Sequence, residues 1–400
     1  MSAGSVNNVL LANIASVDGI AKSNIASIAG VPIPAAANLD FVIEVDTTQA
    51  GSASDTIVLA LTSGGTFDGT IDWGDASTSD LTYANREHTY ASGGTYTITI
   101  SGDTFEGWQV AYSGDRMKFI DIQNWGFFTI SNHRTFDHCE NLDVTATDAP
   151  TITTTSFYCI FRNCDALTTP DFSNWDTSTV TSMQDAFWKC DLFNGNVDGW
   201  VHSNVTVLRR MFIMATSFNQ DLSSWDVSGV TNWYEFLRGA NAFDSSMEGW
   251  IVQGSFNELV FGIMANFTGI GLDSWDTSGM TSFRKAFEST PSFNPDISGW
   301  DVSGVTNMQK TFQNCDVFDQ DLSSWDINQV SDFSNFMGGT TQLSTANYDA
   351  LLIAWDAQGV MSYSGTVNFG GSKYTSGGAA ETARTSLITK WGGITDGGVA

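Results

Sequence analysis

Tryptophan occupies positions Trp175, Trp200, Trp225, Trp250, Trp275, Trp300 and Trp325, a spacing of 25 residues that never slips. A large apolar side chain returning at one interval demands that every 25-residue unit deliver it to the same place, which a stack of coils achieves by burying each unit against the next. Two further columns keep the period. Counted from each tryptophan, position +5 is Val180, Val205, Val230, Met280, Val305 and Val330, and position +8 is Met183, Leu208, Trp233, Phe283, Met308 and Phe333. Position +18 adds Phe193, Phe218, Phe243, Phe293, Phe318 and Leu343. The unit after Trp250 breaks all three columns, at Ser255, Glu258 and Thr268, so an irregular coil is expected there. Trp125 lies two periods before Trp175, with Pro150 in the place between. The stack is therefore expected over residues 115–343.

The wording inside a unit carries more than the period. Phe172-Ser173-Asn174-Trp175-Asp176-Thr177-Ser178, then Val180-Thr181-Ser182-Met183 and Ala186-Phe187-Trp188-Lys189-Cys190, resembles the BspA-type leucine-rich repeat of microbial surface proteins. The resemblance implies a curved or twisted solenoid with short strands and short helical turns in each coil. The aspartates after the tryptophans, Asp176, Asp226, Asp276, Asp301 and Asp326, each precede Ser or Asn by two residues, as side chains that close a turn do.

Residues 39–114 alternate in the manner of half-buried strands, at 41–45, 56–61, 70–73 and 95–100, separated by Gly and Ser turns. Such a run of short strands makes a β-sandwich. Ile71-Asp72-Trp73-Gly74-Asp75, followed by Glu87-His88-Thr89-Tyr90, resembles the polycystic-kidney-disease (PKD) type of immunoglobulin-like domain. That family usually has glycine where this chain has Ala76. The resemblance implies a spacer or adhesion module.

Two segments flank these units. Residues 1–38 repeat on a period of 11, Asn13-Ile14-Ala15-Ser16-Val17-Asp18-Gly19-Ile20 returning as Asn24-Ile25-Ala26-Ser27-Ile28-Ala29-Gly30-Val31, with turn signals that favour short strands. The apolar set within 1–34 is too small for a core, so attachment to a larger structure or to copies of itself is expected. Residues 344–400 show helical apolar spacing at 345–355 and again at 380–391, with a strand signal at 367–369, and are expected to cap the exposed end of the stack. The fold class is thus mainly β with short helices: a PKD-like sandwich, a leucine-rich-repeat solenoid and a C-terminal α+β cap.

Charge narrows the partners. With 44 acidic against 16 basic residues, the net charge of −28 repels phosphate backbones and anionic lipid, so neither nucleic acid nor membrane insertion is expected. The first 30 residues carry no basic residue before Lys22 and do not read as a signal peptide. Cys139, Cys164, Cys190 and Cys315 fall in one repeat slot that other units fill with Ala215, Ala240 and Ala265, which makes them small buried thiols rather than bridges.

Catalytic motifs are lacking. His133 and His138 beside Cys139 do not complete a four-ligand metal site, and no phosphate loop or nucleophile elbow is present. No cofactor is expected, and the calcium candidates are Asp72 and Asp75. Basic residues cluster instead at +9 and +10, as Arg209, Arg210, Arg284, Lys285 and Lys310, with Trp233, Tyr234 and Arg238 beside them. This stripe reads either as a recognition ridge for an acidic glycan or a partner subunit, or as counter-charge for neighbouring aspartates. The expected function is non-enzymatic: a virion fibre or decoration component of a phage presenting a solenoid face to a host surface or a neighbouring subunit. A bacterial cell-surface or extracellular adhesin of the BspA type is the alternative, and a glycan-active enzyme a distant third.

Overall fold

The computed structural model describes residues 39–110, 114–339, 341–359 and 363–400, together with the backbone of four two-residue strands before them. Strand β1 (Ser16–Val17) pairs antiparallel with β2 (Ile20–Ala21), and β3 (Ser27–Ile28) pairs likewise with β4 (Val31–Pro32). The 11-residue period thus encodes one small hairpin twice. The side chains on which attachment through residues 1–34 was expected to depend lie outside the described residues.

Strand β5 (Phe41–Asp46) buries Phe41, Ile43 and Val45 and leaves the residues between them half-buried, as its alternation dictates. It pairs antiparallel with the long β10 (Thr95–Trp108), which also pairs with β7 (Leu61–Asp72); β8 (Thr78–Asp80) continues beyond β7. A separate pair joins β6 (Thr56–Val58) to β9 (Glu87–Thr89). Trp73 is buried between these layers, its ring stacked on His88 at 4.8 Å, and the Tyr90 hydroxyl donates to the Trp73 carbonyl at 2.9 Å. Ala76, where glycine was expected, holds φ +71°, the left-handed conformation that glycine adopts without a Cβ penalty.

One sheet runs through residue 114 rather than stopping there. Strand β11 (Phe119–Asn124) pairs antiparallel with β5, and β12 (Phe128–Ile130) pairs parallel with β10. Beyond them β13 (Asp143–Val144) and β14 (Thr151–Ile152) add parallel neighbours, so the first coil is built directly on the edges of the preceding strands. Buried Lys118 fixes this joint. Its ammonium donates to the carbonyls of Ser52, Ala53 and Thr56 at 3.1, 2.8 and 2.8 Å, while Asp115 accepts from the amides of Ser52 and Val58, each at 2.6 Å.

From here the chain stacks coil on coil in parallel register. Single bridges link Ser156 to Ser182, Val207, Asn232 and Ser255 in turn, and Ser282 to Asn307 and Asp332. The coils turn through left-handed residues in nine successive pairs: 134 and 138, 159 and 163, 185 and 189, 210 and 214, 235 and 239, 258 and 263 with 259 as an extra member, 285 and 289, 310 and 314, 335 and 339. Most of them are not glycine. Each such residue costs on the order of 1–3 kcal/mol and persists because the neighbouring coils over-determine the backbone. Hydrogen bonds such as Phe187 N to Met211 O at 2.8 Å and Phe212 N to Phe236 O at 3.0 Å do this at every boundary.

The tryptophans line the interior, none more than 5% exposed. Trp225, Trp250, Trp275 and Trp300 stack ring on ring at 6.4, 5.5 and 5.9 Å. From Trp200 to Trp325 each indole N–H donates to the carbonyl 28 residues earlier, as Trp225 does to Val197 at 3.0 Å. A second apolar stack runs through Phe193, Phe218, Phe243, Phe267, Phe293 and Phe318, with centroid separations of 5.8 to 6.1 Å.

The coil after Trp250 is irregular through a slip in register. Asn232 bridges to Ser255, 23 residues on rather than 25, and Phe256 takes the buried +8 place where the period put Glu258. Leu259, a left-handed residue immediately following left-handed Glu258, restores one position, so Phe261 and Phe267 sit one early. Gly269 and Gly271, both at positive φ, lead back to Trp275 in register. The slip corrects one expectation from the sequence: the small slot of this coil holds buried Met264, and Ala265 is exposed.

The last coil is closed by residues 341–400. Helix α1 (Thr345–Ala357) buries Tyr348, Leu351, Leu352 and Trp355, one face at helical spacing. The Trp355 indole donates to the Leu322 carbonyl at 3.0 Å, occupying the place the next tryptophan of the stack would take. Gln358 accepts from Ile327 N and donates to Trp325 O, satisfying edge backbone groups. Strand β15 (Thr366–Asn368) bridges antiparallel to Ser334 and pairs parallel with β16 (Gly393–Thr395), and α2 (Ala379–Lys390) packs on α1.

Candidate functional site

Because the coils are in register, residues 25 apart form columns, and columns define the faces. The aspartates of the repeated phrase are spent on their own turns. Asp226, Asp276 and Asp301 each accept from the amide and the hydroxyl of the serine two residues on, at 2.6 to 3.1 Å, and Asp326 does the same with Asn328. The serine hydroxyl, then the amide, hold the carboxyls of Asp176, Asp276 and Asp301 below their usual range. The sequence reading missed a further column that does the same job between coils. Asn194 accepts from Asn219 N, Asn219 from Asp244 N, and Asp244 from Thr268 N, at 2.9, 2.9 and 2.7 Å. After one break the column continues, Asn294 accepting from Asp319 N and Asp319 from Ser344 N. Asn or Asp one residue after the +18 apolar residue is the signal for it.

In the strand region before residue 110, Asp72 accepts from Gly74 N at 2.9 Å. Asp75 accepts from Ser77 N and its hydroxyl at 3.0 and 2.5 Å and pairs with His88 at 2.9 Å. The Ser77 hydroxyl, then His88, hold the Asp75 carboxyl at about 2. Among the described residues no three metal-ligating side chains gather. His133, His138 and Cys139 part company. His138 engages Asp137 through Nδ1 at 2.7 Å and Asn163 through Nε2 at 2.6 Å, Cys139 is buried in the small slot, and His133 faces the groove described below. The five cysteines are buried and unbridged. The thiols of Cys164, Cys190 and Cys315 donate to carbonyls of the preceding coil at 3.1, 2.8 and 3.1 Å, and burial pushes Cys159 up to about 12.

The basic stripe resolves into two columns with different fates. In the first, cations meet acids across coil boundaries: Arg162 with buried Asp137, Arg210 with buried Asp185, Lys285 with Glu258 at 2.8 Å and Lys310 with Glu288 at 3.3 Å. Arg238 pairs with Glu235 within its own coil, at 2.7 Å. Burial raises the Asp137 carboxyl, with His138 and Arg134 pulling it back. In the second column, one residue earlier in each coil, stand His133, Tyr158, Gln184, Arg209, Tyr234, Arg284 and Gln309. Arg284 pairs with Glu258 and donates to Gln309. Arg209 forms no ion pair among the described residues, and its guanidinium lies 4.6 Å from the Tyr234 ring centre. Its Nε is buried without a hydrogen-bond partner. Trp233, placed in this face from the sequence, is wholly buried instead, because it fills the +8 core position beside Trp250 at 5.8 Å. It offers no surface to a ligand.

At the start of the second column lies a shallow polar groove of roughly 330 Å³, lined by His133, Ser156, Tyr158, Ser182 and Gln184. Arg134 lies over the Tyr158 ring, 5.2 Å from its centre.

Stacked coils, mainly β with two α-helices among the described residues, define a repeat protein whose surface is a set of columns. A family model described as "Mycoplasma protein of unknown function, DUF285" matches residues 155–258 and again 255–373, more than half of the chain, and the chain belongs to that family. The two matches meet at the slipped coil. Neither the curated proteins nor the solved structures gave a match. Among the described residues, no helix is long and apolar enough to cross a membrane.

Proposed function

We propose that this chain is a non-enzymatic adhesion protein, in which a BspA-type leucine-rich-repeat solenoid is carried on a PKD-like sandwich and presents its polar column face to a host surface. The observation that carries this reading is the single sheet crossing residue 114, locked by Lys118, which makes sandwich and coils one lever with a defined face. The acidic groups near that face are engaged in turns and ion pairs, an arrangement suited to holding a surface rather than to moving protons. Membership of a family matched twice in tandem supports a repeat surface protein.

The location proposed is a virion, as a fibre or decoration component, because the strand pair Ser16–Val17 with Ile20–Ala21 is repeated as Ser27–Ile28 with Val31–Pro32 and the apolar set in the sequence of 1–34 is too small for a core. A bacterial cell surface is the second location, favoured by the repeat's likeness to microbial surface proteins. Immunogold labelling with an antibody to the purified chain separates them. Gold on particles supports the virion, gold on producing cells supports the surface adhesin, and retention of labelled protein by neither host nor sibling cells removes adhesion altogether.

A further inference from the structure

The column from Tyr158 to Tyr234 carries an unspent charge. Five cations (Arg210, Arg238, Arg284, Lys285, Lys310) pair with four acids (Asp185, Glu235, Glu258, Glu288), and Arg209, beside them, pairs with none, on a chain whose net charge is −28. Each acid is taken up by a cation other than Arg209. The guanidinium of Arg209 lies over the Tyr234 ring at 4.6 Å from its centre with Nε buried and unbonded, while the residue as a whole is only half-buried, so an anion arriving at this face meets a cation that no acid has neutralised. One and two coils away, in the same column, Gln184 and Tyr158 line the groove with the hydroxyls of Ser156 and Ser182. An aromatic ring beside amide and hydroxyl groups fits the apolar face and hydroxyl rim of a hexose. Coils stacked about 4.8 Å apart put Tyr158 and Arg209 roughly 10 Å apart, a separation that adjacent sugars of one strand can bridge.

We propose that this column is a subsite for an anionic glycan: a sugar lies on Tyr158 and Gln184 in the groove, and the carboxylate or sulfate of the same strand is received by Arg209 on Tyr234. The inference rests on the adhesion reading and specifies its ligand.

Calorimetric titration of the full chain with short oligomers of galacturonic acid, of sulfated galactose and of neutral galactose tests it. At least one acidic oligomer binds, about tenfold or more tighter than the neutral one, and the stronger of the two identifies the anion. Arg209→Gln brings the acidic oligomer down to the neutral level with an unchanged melting temperature, and Tyr158→Ala weakens acidic and neutral oligomers alike. Failure of both acidic oligomers to bind, equal binding of the neutral one, or an unaltered Arg209→Gln protein overturns the proposal. If the wild-type chain adheres to cells and Arg209→Gln adheres equally, the subsite fails and adhesion stands. If the wild type adheres to nothing, adhesion fails, and the titration still decides the subsite.

Discussion

Arg210 and Asp185 face each other across one coil boundary through two parallel bonds, Nε to Oδ1 at 2.8 Å and Nη2 to Oδ2 at 2.9 Å. The carboxylate is fully buried and its own backbone is left-handed, at φ +58°. Breaking such a pair from one side strands the other charge. Arg210→Met should therefore cost about 3 kcal/mol in urea unfolding, while Asp185→Asn with Arg210→Met should recover a large part of that loss. Asp185→Asn alone completes the cycle, and a double variant whose loss equals the sum of the two single losses would show that the pair is not coupled.

The tryptophan stack makes a graded prediction. Trp225→Ala should cost about 3–5 kcal/mol, the usual range for emptying a large aromatic site. Trp225→Phe also strands the Val197 carbonyl, whereas the Trp175 indole N–H has no partner to lose. Trp225→Phe should thus exceed Trp175→Phe by about 1 kcal/mol, measured by chemical denaturation of both proteins.

Ile263 is a β-branched residue at φ +58° and 45% exposed, a conformation such side chains rarely hold. Ile263→Asn should raise stability by about 1 kcal/mol. A fall in melting temperature would mean that its packing outweighs its strain.

Acid should unravel the turns. Asp176, Asp276, Asp296 and Asp301 have folded-state carboxyls held below the usual range by serine hydroxyls and amides. Their contribution is present above the ordinary carboxylate pKa near about 4 and is lost as pH falls through the depressed folded values. Melting temperature should decline below about pH 4, and a variant with serines 178, 278, 298 and 303 changed to alanine should decline less steeply.

Alkylation gives a check on the core. Without reductant, the folded chain should leave Cys139, Cys159, Cys164, Cys190 and Cys315 unmodified, and the unfolded chain should take label on all five. Mass spectrometry counts both.

The period of Trp175 to Trp325 made coils legible, because a one-residue change in coil length moves a buried ring into solvent, where it costs several kcal/mol. The broken columns at Ser255, Glu258 and Thr268 located the irregular coil but not its remedy. Counting in fixed steps cannot show that Phe256 and Met264 have moved into the vacated places. The left-handed pairs were illegible for a related reason: residues such as Arg210, Lys285 and Lys310 are held there by neighbouring coils, against their own propensity. At the surface, the stripe was visible as composition, but which cation meets which acid depends on side-chain reach across a boundary. Trp233 shows the cost of reading a face from proximity in sequence: one position separates it from Tyr234, and the two point opposite ways, one into the core and one to the groove face.

Trp355 reaches the Leu322 carbonyl with the bond that every indole from Trp200 to Trp325 makes to the unit before it. The terminal helix therefore reads a generic socket and not a particular neighbour. Units can be gained or lost ahead of it without rebuilding either extremity, and the molecule's span changes in increments of about 4.8 Å. Reach becomes a heritable ruler, set by the number of units alone while the structure at both ends is left as it is.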